Sequence, residues 1–98
     1  MTEYRIKFSD YSFIDEEGTF TGQLDHKLYG KKNNIVAYIT LEDGRKVIAV
    51  AYKDSNYQGL KDIEVDSFVE VTFSESKSGM IRLSGISVIE LLMRAESL

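Results

Sequence analysis

Apolar and polar residues alternate with a period of two along most of the chain, and the breaks in that alternation outline its elements. Tyr4, Ile6 and Phe8 alternate with Glu3, Arg5 and Lys7, which predicts a short, half-buried N-terminal strand. Tyr11 to Gly18 (YSFIDEEG) loses the alternation and reads as a connection, with Asp15, Glu16 and Glu17 as a solvated acidic turn. From Thr19 the pattern resumes, with Phe20, Gly22 and Leu24 on one face and Thr21, Gln23 and Asp25 on the other, through His26 to about Leu28. Gly22 inside that strand predicts a bulge or tight bend, the device by which a small barrel turns a corner. Gly30-Lys31-Lys32-Asn33-Asn34 is a polar loop.

The segment ITLEDGRKVIAV places Asp43-Gly44 between two apolar runs. An Asp-Gly pair in that setting predicts a two-residue type I′ hairpin turn, which needs positive φ at both central residues. Such a turn pairs Ile39 with Ile48, Ala37 with Val50 and Ile35 with Tyr52 on a core face. It pairs Thr40 with Val47, Tyr38 with Ala49 and Val36 with Ala51 on the other. A register slip of one residue would exchange these faces, so the assignment depends on the two-residue turn.

Beyond Lys53 the alternation fails over Asn56 to Ile63, which can form at most two helical turns, with Ser55 or Asn56 as a candidate N-cap. Two more strands follow, Phe68 to Glu75 with Val69, Val71 and Phe73 inward, and Met80 to about Glu90 with Ile81 and Leu83 sharing a face. Gly85 is placed to reset the phase so that Ile86 and Val88 also pack. The tail from Ile89 to Leu98 holds good helix formers and predicts a short terminal helix.

This order is an extra N-terminal strand, a kinked strand, a hairpin, a short helix and two final strands. Closing five short strands into a barrel removes the open edges of a flat sheet. The order from about Thr19 to Ile89, with TFTGQL, the Asp-Gly hairpin and the ending SFVEVTFSESKSGMIRLSGISVIEL, resembles the OB-fold. The resemblance implies an all-β, five-stranded barrel with a helix between its third and fourth strands. The chain is expected to be a single domain over residues 1–98, with its barrel at about 19–90 and a tail at 90–98.

Composition narrows the class. At 98 residues, 43% hydrophobic and 29% charged, the chain matches a soluble globular domain. The longest strictly apolar run, Val47 to Ala51, is far short of a membrane span, and the first residues lack the layout of a signal peptide. The absence of cysteine excludes disulfides and thiolate metal sites. A cytoplasmic location is therefore expected. The net charge of −4 is unusual for a nucleic-acid binder. It is also segregated: residues 23–53 carry +3, while residues 54–75 carry −5.

OB-folds that bind single strands lay the ligand across the second and third strands, between the loop joining strands one and two and the loop joining strands four and five. Carried onto this chain, that implies Tyr38 as a stacking ring flanked by Ala49 and Ala51, with Arg45 on the same face. The first loop supplies Lys31, Lys32, Asn33 and Asn34, and the second supplies Lys77; Tyr29 is a further stacking candidate. The bland alternative for Tyr38 is an ordinary strand tyrosine covered by the N-terminal strand or by a partner subunit. Tyr52 and Phe73 are assigned to the core. With one histidine and no cysteine, nucleophilic catalysis lacks its usual partners. Asp15-Glu16-Glu17 lacks the spaced ligands of a calcium loop, and no phosphate-binding glycine motif is present.

The expected function is thus non-catalytic binding of single-stranded DNA or RNA with little sequence preference and without a cofactor. The resemblance is nearer to small single-strand-binding proteins of phages, plasmids and other mobile elements than to the housekeeping bacterial protein. The chain ends at MRAESL, without the acidic, glycine-rich tail of that protein. The alternative is a protein-interaction module, including a homo-oligomer, built on the same barrel through Val36, Tyr38, Val47 and the tail.

Overall fold

The computed structural model describes residues 7–52 and 55–89. The chain is mostly β, with six strands in one sheet and one helix. The strands are β1 (Ser12–Phe13), β2 (Gly18–Tyr29), β3 (Ile35–Leu41), β4 (Lys46–Ala51), β5 (Phe68–Glu75) and β6 (Ile81–Val88), and α1 (Ser55–Asp62) lies between β4 and β5. The order across the sheet is β1-β4-β3-β2-β5-β6. β1 runs parallel to β4, and every other pairing is antiparallel.

The expected closed barrel is not formed. β4 and β6 come within 8 Å, Cα to Cα, but no ladder joins them, so the curled sheet keeps an open seam. The expected N-terminal strand is also corrected where it is described, because Phe8–Asp10 is a single 3₁₀ turn. The N-terminal strand observed lies later, at Ser12–Phe13, inside the expected connection. Residues 1–6 of the expected strand, and the tail helix from Glu90 onward, lie outside the described residues.

The hairpin forms with a different register. Gly44 N–H donates to the Leu41 carbonyl at 2.9 Å and Leu41 N–H donates to the Arg45 carbonyl at 2.8 Å, leaving Glu42, Asp43 and Gly44 as a three-residue loop. Gly44 adopts φ of 96°, while Asp43 is not among the residues with positive φ. This is a type I turn followed by a left-handed residue, one of the common three-residue hairpins, and not the type I′ turn expected. Ile39 therefore pairs with Val47, Ala37 with Ala49 and Ile35 with Ala51. The faces of β3 are as expected, but those of β4 are exchanged. Val47, Ala49 and Ala51 point into the core, whereas Ile48, Val50 and Tyr52 point away from it. The two alanines share the buried core cluster with Leu60 of α1, which packs against β3 and β4.

The core is one cluster containing Leu24, Ile35, Ile39, Leu60, Val69 and Val71, all fully buried, each stabilising the fold by about 1.5–3 kcal/mol through apolar burial. Val69, Val71 and Phe73 face inward as expected. The phase reset near Gly85 is present, since Thr72 pairs with Gly85 and Phe73 with Leu83, leaving Ser84 as the extra residue. It turns Ile86 against the core, but Val88 remains exposed.

Gly22 does not form the expected bulge. A Cβ at Gly22 would collide with the Thr40 carbonyl and lie 2.9 Å from the Leu41 Cα, so this glycine permits a close approach of backbones. The bulge falls at Asp25, between the pairs Leu24–Ile39 and His26–Tyr38. It turns both Asp25 and His26 to the outer face and sends Lys27 to the inner side, against the regular alternation. The Lys27 ammonium donates to the carbonyls of Leu60 (3.1 Å), Lys61 (3.2 Å) and Ile63. A cation there complements the negative end of α1.

Two glycine substitutions separate these effects. Gly22→Ala is expected to destabilise the protein by about 1–3 kcal/mol through overpacking. Gly59→Ala, whose Cβ would meet Ile86 only at an ordinary 3.9 Å, is expected to stabilise α1 by about 0.5–1 kcal/mol. Chemical denaturation of the two variants beside the parent checks both signs.

Candidate nucleic-acid interface

The outer face of the hairpin is built in rows by the register. Leu28, Val36 and Val50 form one row; His26, Tyr38 and Ile48 form the next; Gln23, Thr40 and Lys46 form the third. Tyr38 points outward, as expected, but it is not solvent-facing and is not flanked by alanines. It is only 9% exposed. Phe8 lies over it with ring centroids 4.6 Å apart, and Tyr11 meets it edge-on at 5.2 Å. The expectation of an open stacking ring is corrected, and the cover is the N-terminal segment.

That segment is tied down by the bulge. The Tyr11 hydroxyl donates to Asp25 at 2.7 Å, and the Thr40 hydroxyl donates to the same carboxylate oxygen. Lys46 Nζ sits 5.4 Å from the centre of the Tyr11 ring. Burial, reinforced by the hydrogen bond to Asp25 and its charge, pushes the Tyr11 phenol up to about 12.

Arg45 is engaged within the protein. Its guanidinium bonds Asp43 at 2.9 Å, pairs with Glu16 at 3.3 Å and lies 5.1 Å from the Phe20 ring centre. Asp43 is held below the ordinary carboxylate range, first by the Arg45 backbone N–H and then by the guanidinium, and Arg45 is raised in turn by Asp43. The other expected residues are exposed. Tyr29 is 57% exposed with Lys27 Nζ 5.9 Å from its ring centre. Lys31, Lys32, Asn33 and Lys77 are open to solvent, with Asn33 in the left-handed region at φ 59° and Asn34 half-buried. Gly30 N–H closes the first loop on the Asn34 carbonyl at 2.7 Å.

The two lysine loops leave opposite ends of β2. The first follows Tyr29, and the second follows the end of β5 that pairs with Gly18. They do not jointly frame Tyr38. What the curl does bring together is the seam between β4 and β6, a cleft of about 90 Å³ lined by Phe13, Ile48, Tyr52, Met80 and Arg82 among others. Tyr52 is 53% exposed with the Arg82 guanidinium 5.9 Å from its ring centre, and Phe13 is 70% exposed at the cleft's rim. The sequence pattern assigns Tyr52 to the core, leaves Phe13 between barrel padding and an interface, and gives Arg82 no role. The Glu42-Asp43-Gly44 triplet, with glycine in the third place, was the available signal.

Together these features define an all-β module that presents an aromatic and arginine-bearing seam beside an aliphatic row. Neither a family model nor any curated protein matches the sequence. Among solved structures, the fold is similar to part of TiaS in its crystallised complex with an isoleucine tRNA, AMPCPP and agmatine, with a TM-score of 0.62 at 17% identity over 82% of this chain. This chain spans 20% of that neighbour's length, and the likeness is one of fold. No helix among the described residues is long and apolar enough to cross a membrane.

The Tyr11 environment sets a pH dependence. Its phenol is raised in the folded state, so the neutral form stabilises the fold; that contribution is complete below the ordinary tyrosine value of about 10 and is lost as pH rises towards about 12. Stability measured by denaturant titration is expected to fall across this window in the parent, and Tyr11→Phe is expected to flatten that part of the decline.

Proposed function

We propose that the chain is a non-catalytic module that binds single-stranded nucleic acid, RNA or DNA, with little sequence preference, by base stacking and contacts to backbone charge. The observation that carries this reading is the seam. Tyr52 is exposed with Arg82 over its ring, Phe13 stands at the rim, and the seam opens onto the outer face of β3 and β4. A flat aromatic accepts any base, and a guanidinium beside it suits both a base plane and a phosphate.

The strand order supports the same reading. β2 lies between β3 and β5, with α1 between β4 and β5. We read this order as that of an OB-fold left unclosed at its last pairing, with β1 added on the edge. Single strands bound by such folds cross the face that β3 and β4 provide here. The fold neighbour is a complex that contains tRNA, which agrees with a nucleic-acid partner. Lys31, Lys32 and Lys77 have no ion-pair partner among the described residues and are free to meet phosphates. The seam volume of about 90 Å³ is well below the ~300–1,000 Å³ of small-molecule pockets, which favours binding on a surface over an enclosed reaction site. We assign the protein to the cytoplasm on the same reading.

The second reading is a protein-assembly module. It is favoured by the aliphatic row Leu28–Val36–Val50, which offers no stacking surface, and by the net charge of −4.

Fluorescence anisotropy with labelled single-stranded oligonucleotides separates the two. With three phosphate contacts on a single strand, affinity is expected to fall roughly 20-fold between about 50 and about 200 mM salt. Tyr52→Ala is expected to weaken binding by about 1–3 kcal/mol. Lys31→Ala combined with Lys32→Ala is expected to reduce the salt dependence. Absence of binding to both DNA and RNA at high micromolar protein, with a discrete oligomer on size exclusion, would transfer the assignment to the assembly module.

A further inference from the structure

We infer that residues 7–11 form a displaceable cover over the Tyr38 part of the binding face, with Phe8 and Tyr11 standing in cis where bases of the ligand stack on Tyr38. The inference rests on the nucleic-acid reading and specifies how that face is regulated.

Tyr38 is a residue of the outer face, paired with His26 on one side and Ile48 on the other. Its low exposure of 9% comes from the N-terminal segment. Phe8 lies against the Tyr38 ring at 4.6 Å, tilted by 47°, and against His26 at 5.8 Å, while Tyr11 closes the edge at 5.2 Å and 85°. Four planar groups, Phe8, Tyr11, His26 and Tyr38, thus form a cluster on the outer face, separate from the core cluster, to which none of them belongs.

The cover is thin and lightly held. Phe8 is itself 43% exposed, so the ring lying on Tyr38 reaches solvent. The segment makes one turn, through Asp10 N–H to the Lys7 carbonyl and Tyr11 N–H to the Phe8 carbonyl. It leads into a strand of two residues, Ser12 beside Val47 and Phe13 beside Ile48. Its polar anchor is the Tyr11 hydroxyl on Asp25 at 2.7 Å. Lifting it leaves the core cluster in place. It uncovers Tyr38 between His26 and Ile48, and it frees Lys46 from its position over Tyr11. An aromatic ring with a lysine nearby is what a single strand requires of its platform. A cover that must open before binding lowers the apparent affinity by the fraction of molecules already open.

The test compares the parent with Phe8→Ala in the same anisotropy titration, using an unstructured single-stranded oligonucleotide. An aromatic pair of this kind suggests that Phe8→Ala binds about 2- to 10-fold more tightly than the parent, and that the gain disappears in Phe8→Ala combined with Tyr38→Ala. Hydrogen exchange on the parent gives a second readout: oligonucleotide should accelerate exchange of the Tyr11 N–H. Persistent binding with no gain in Phe8→Ala, or slower exchange at Tyr11, overturns the cover while leaving the nucleic-acid reading intact. Absence of oligonucleotide binding by parent and variant alike overturns the nucleic-acid reading and the cover with it.

Discussion

Two hydrogen bonds across the hairpin, from Gly44 N–H to the Leu41 carbonyl and from Leu41 N–H to the Arg45 carbonyl, decide which side of β4 meets the core. Because side chains alternate along a strand, one residue more or fewer in the loop exchanges every side chain of the following strand between the two faces. Here the loop has three residues, and the left-handed conformation of Gly44 makes that length accessible. The choice places Ala49 and Ala51 in the buried core cluster with Leu60 of α1. It also places Ile48, Val50 and Tyr52 outside, so the composition of the outer surface is a by-product of the turn.

Much of the architecture was legible because it depended on strong periodic signals. β2, β3, β5, the short helix and the phase change near Gly85 all follow from alternation and its breaks. The faces of β4 were not legible, because VIAVA is apolar at every position and only the loop length chooses between the two parities. The bulge was expected at a glycine, yet Asp25 carries it. A carboxylate can occupy the extra position because the hydroxyls of Tyr11 and Thr40 satisfy it. The N-terminal turn escaped for a similar reason. Lys7 and Phe8 continue the alternation of the residues before them, and it is the outward ring of Tyr38, distant in sequence, that gives Phe8 a place to lie.

Charge was legible in amount but not in availability. Of the basic residues in the positive segment 23–53, Lys27 is held by three carbonyls, Arg45 by two carboxylates and Lys46 lies over Tyr11. Lys31 and Lys32 remain exposed in the first loop. A cluster of cations in sequence is therefore a much smaller electrostatic field in space. In the function proposed, a polyanion would be held largely by the surfaces of aromatic rings, with Tyr52, Phe13 and Tyr29 contributing more than long-range attraction.

The incomplete closure of the sheet has one more consequence. A sheet curled until parts of β4 and β6 come within 8 Å, Cα to Cα, with β1 on the β4 margin at Val47 and Ile48, leaves little room there for an incoming strand, which needs about 4.8 Å beside the margin it joins. Growth by strand addition at the seam, the route to fibrils, is thereby obstructed by geometry alone in a chain that has no proline to guard its margins. Association between copies across that seam must proceed through side chains.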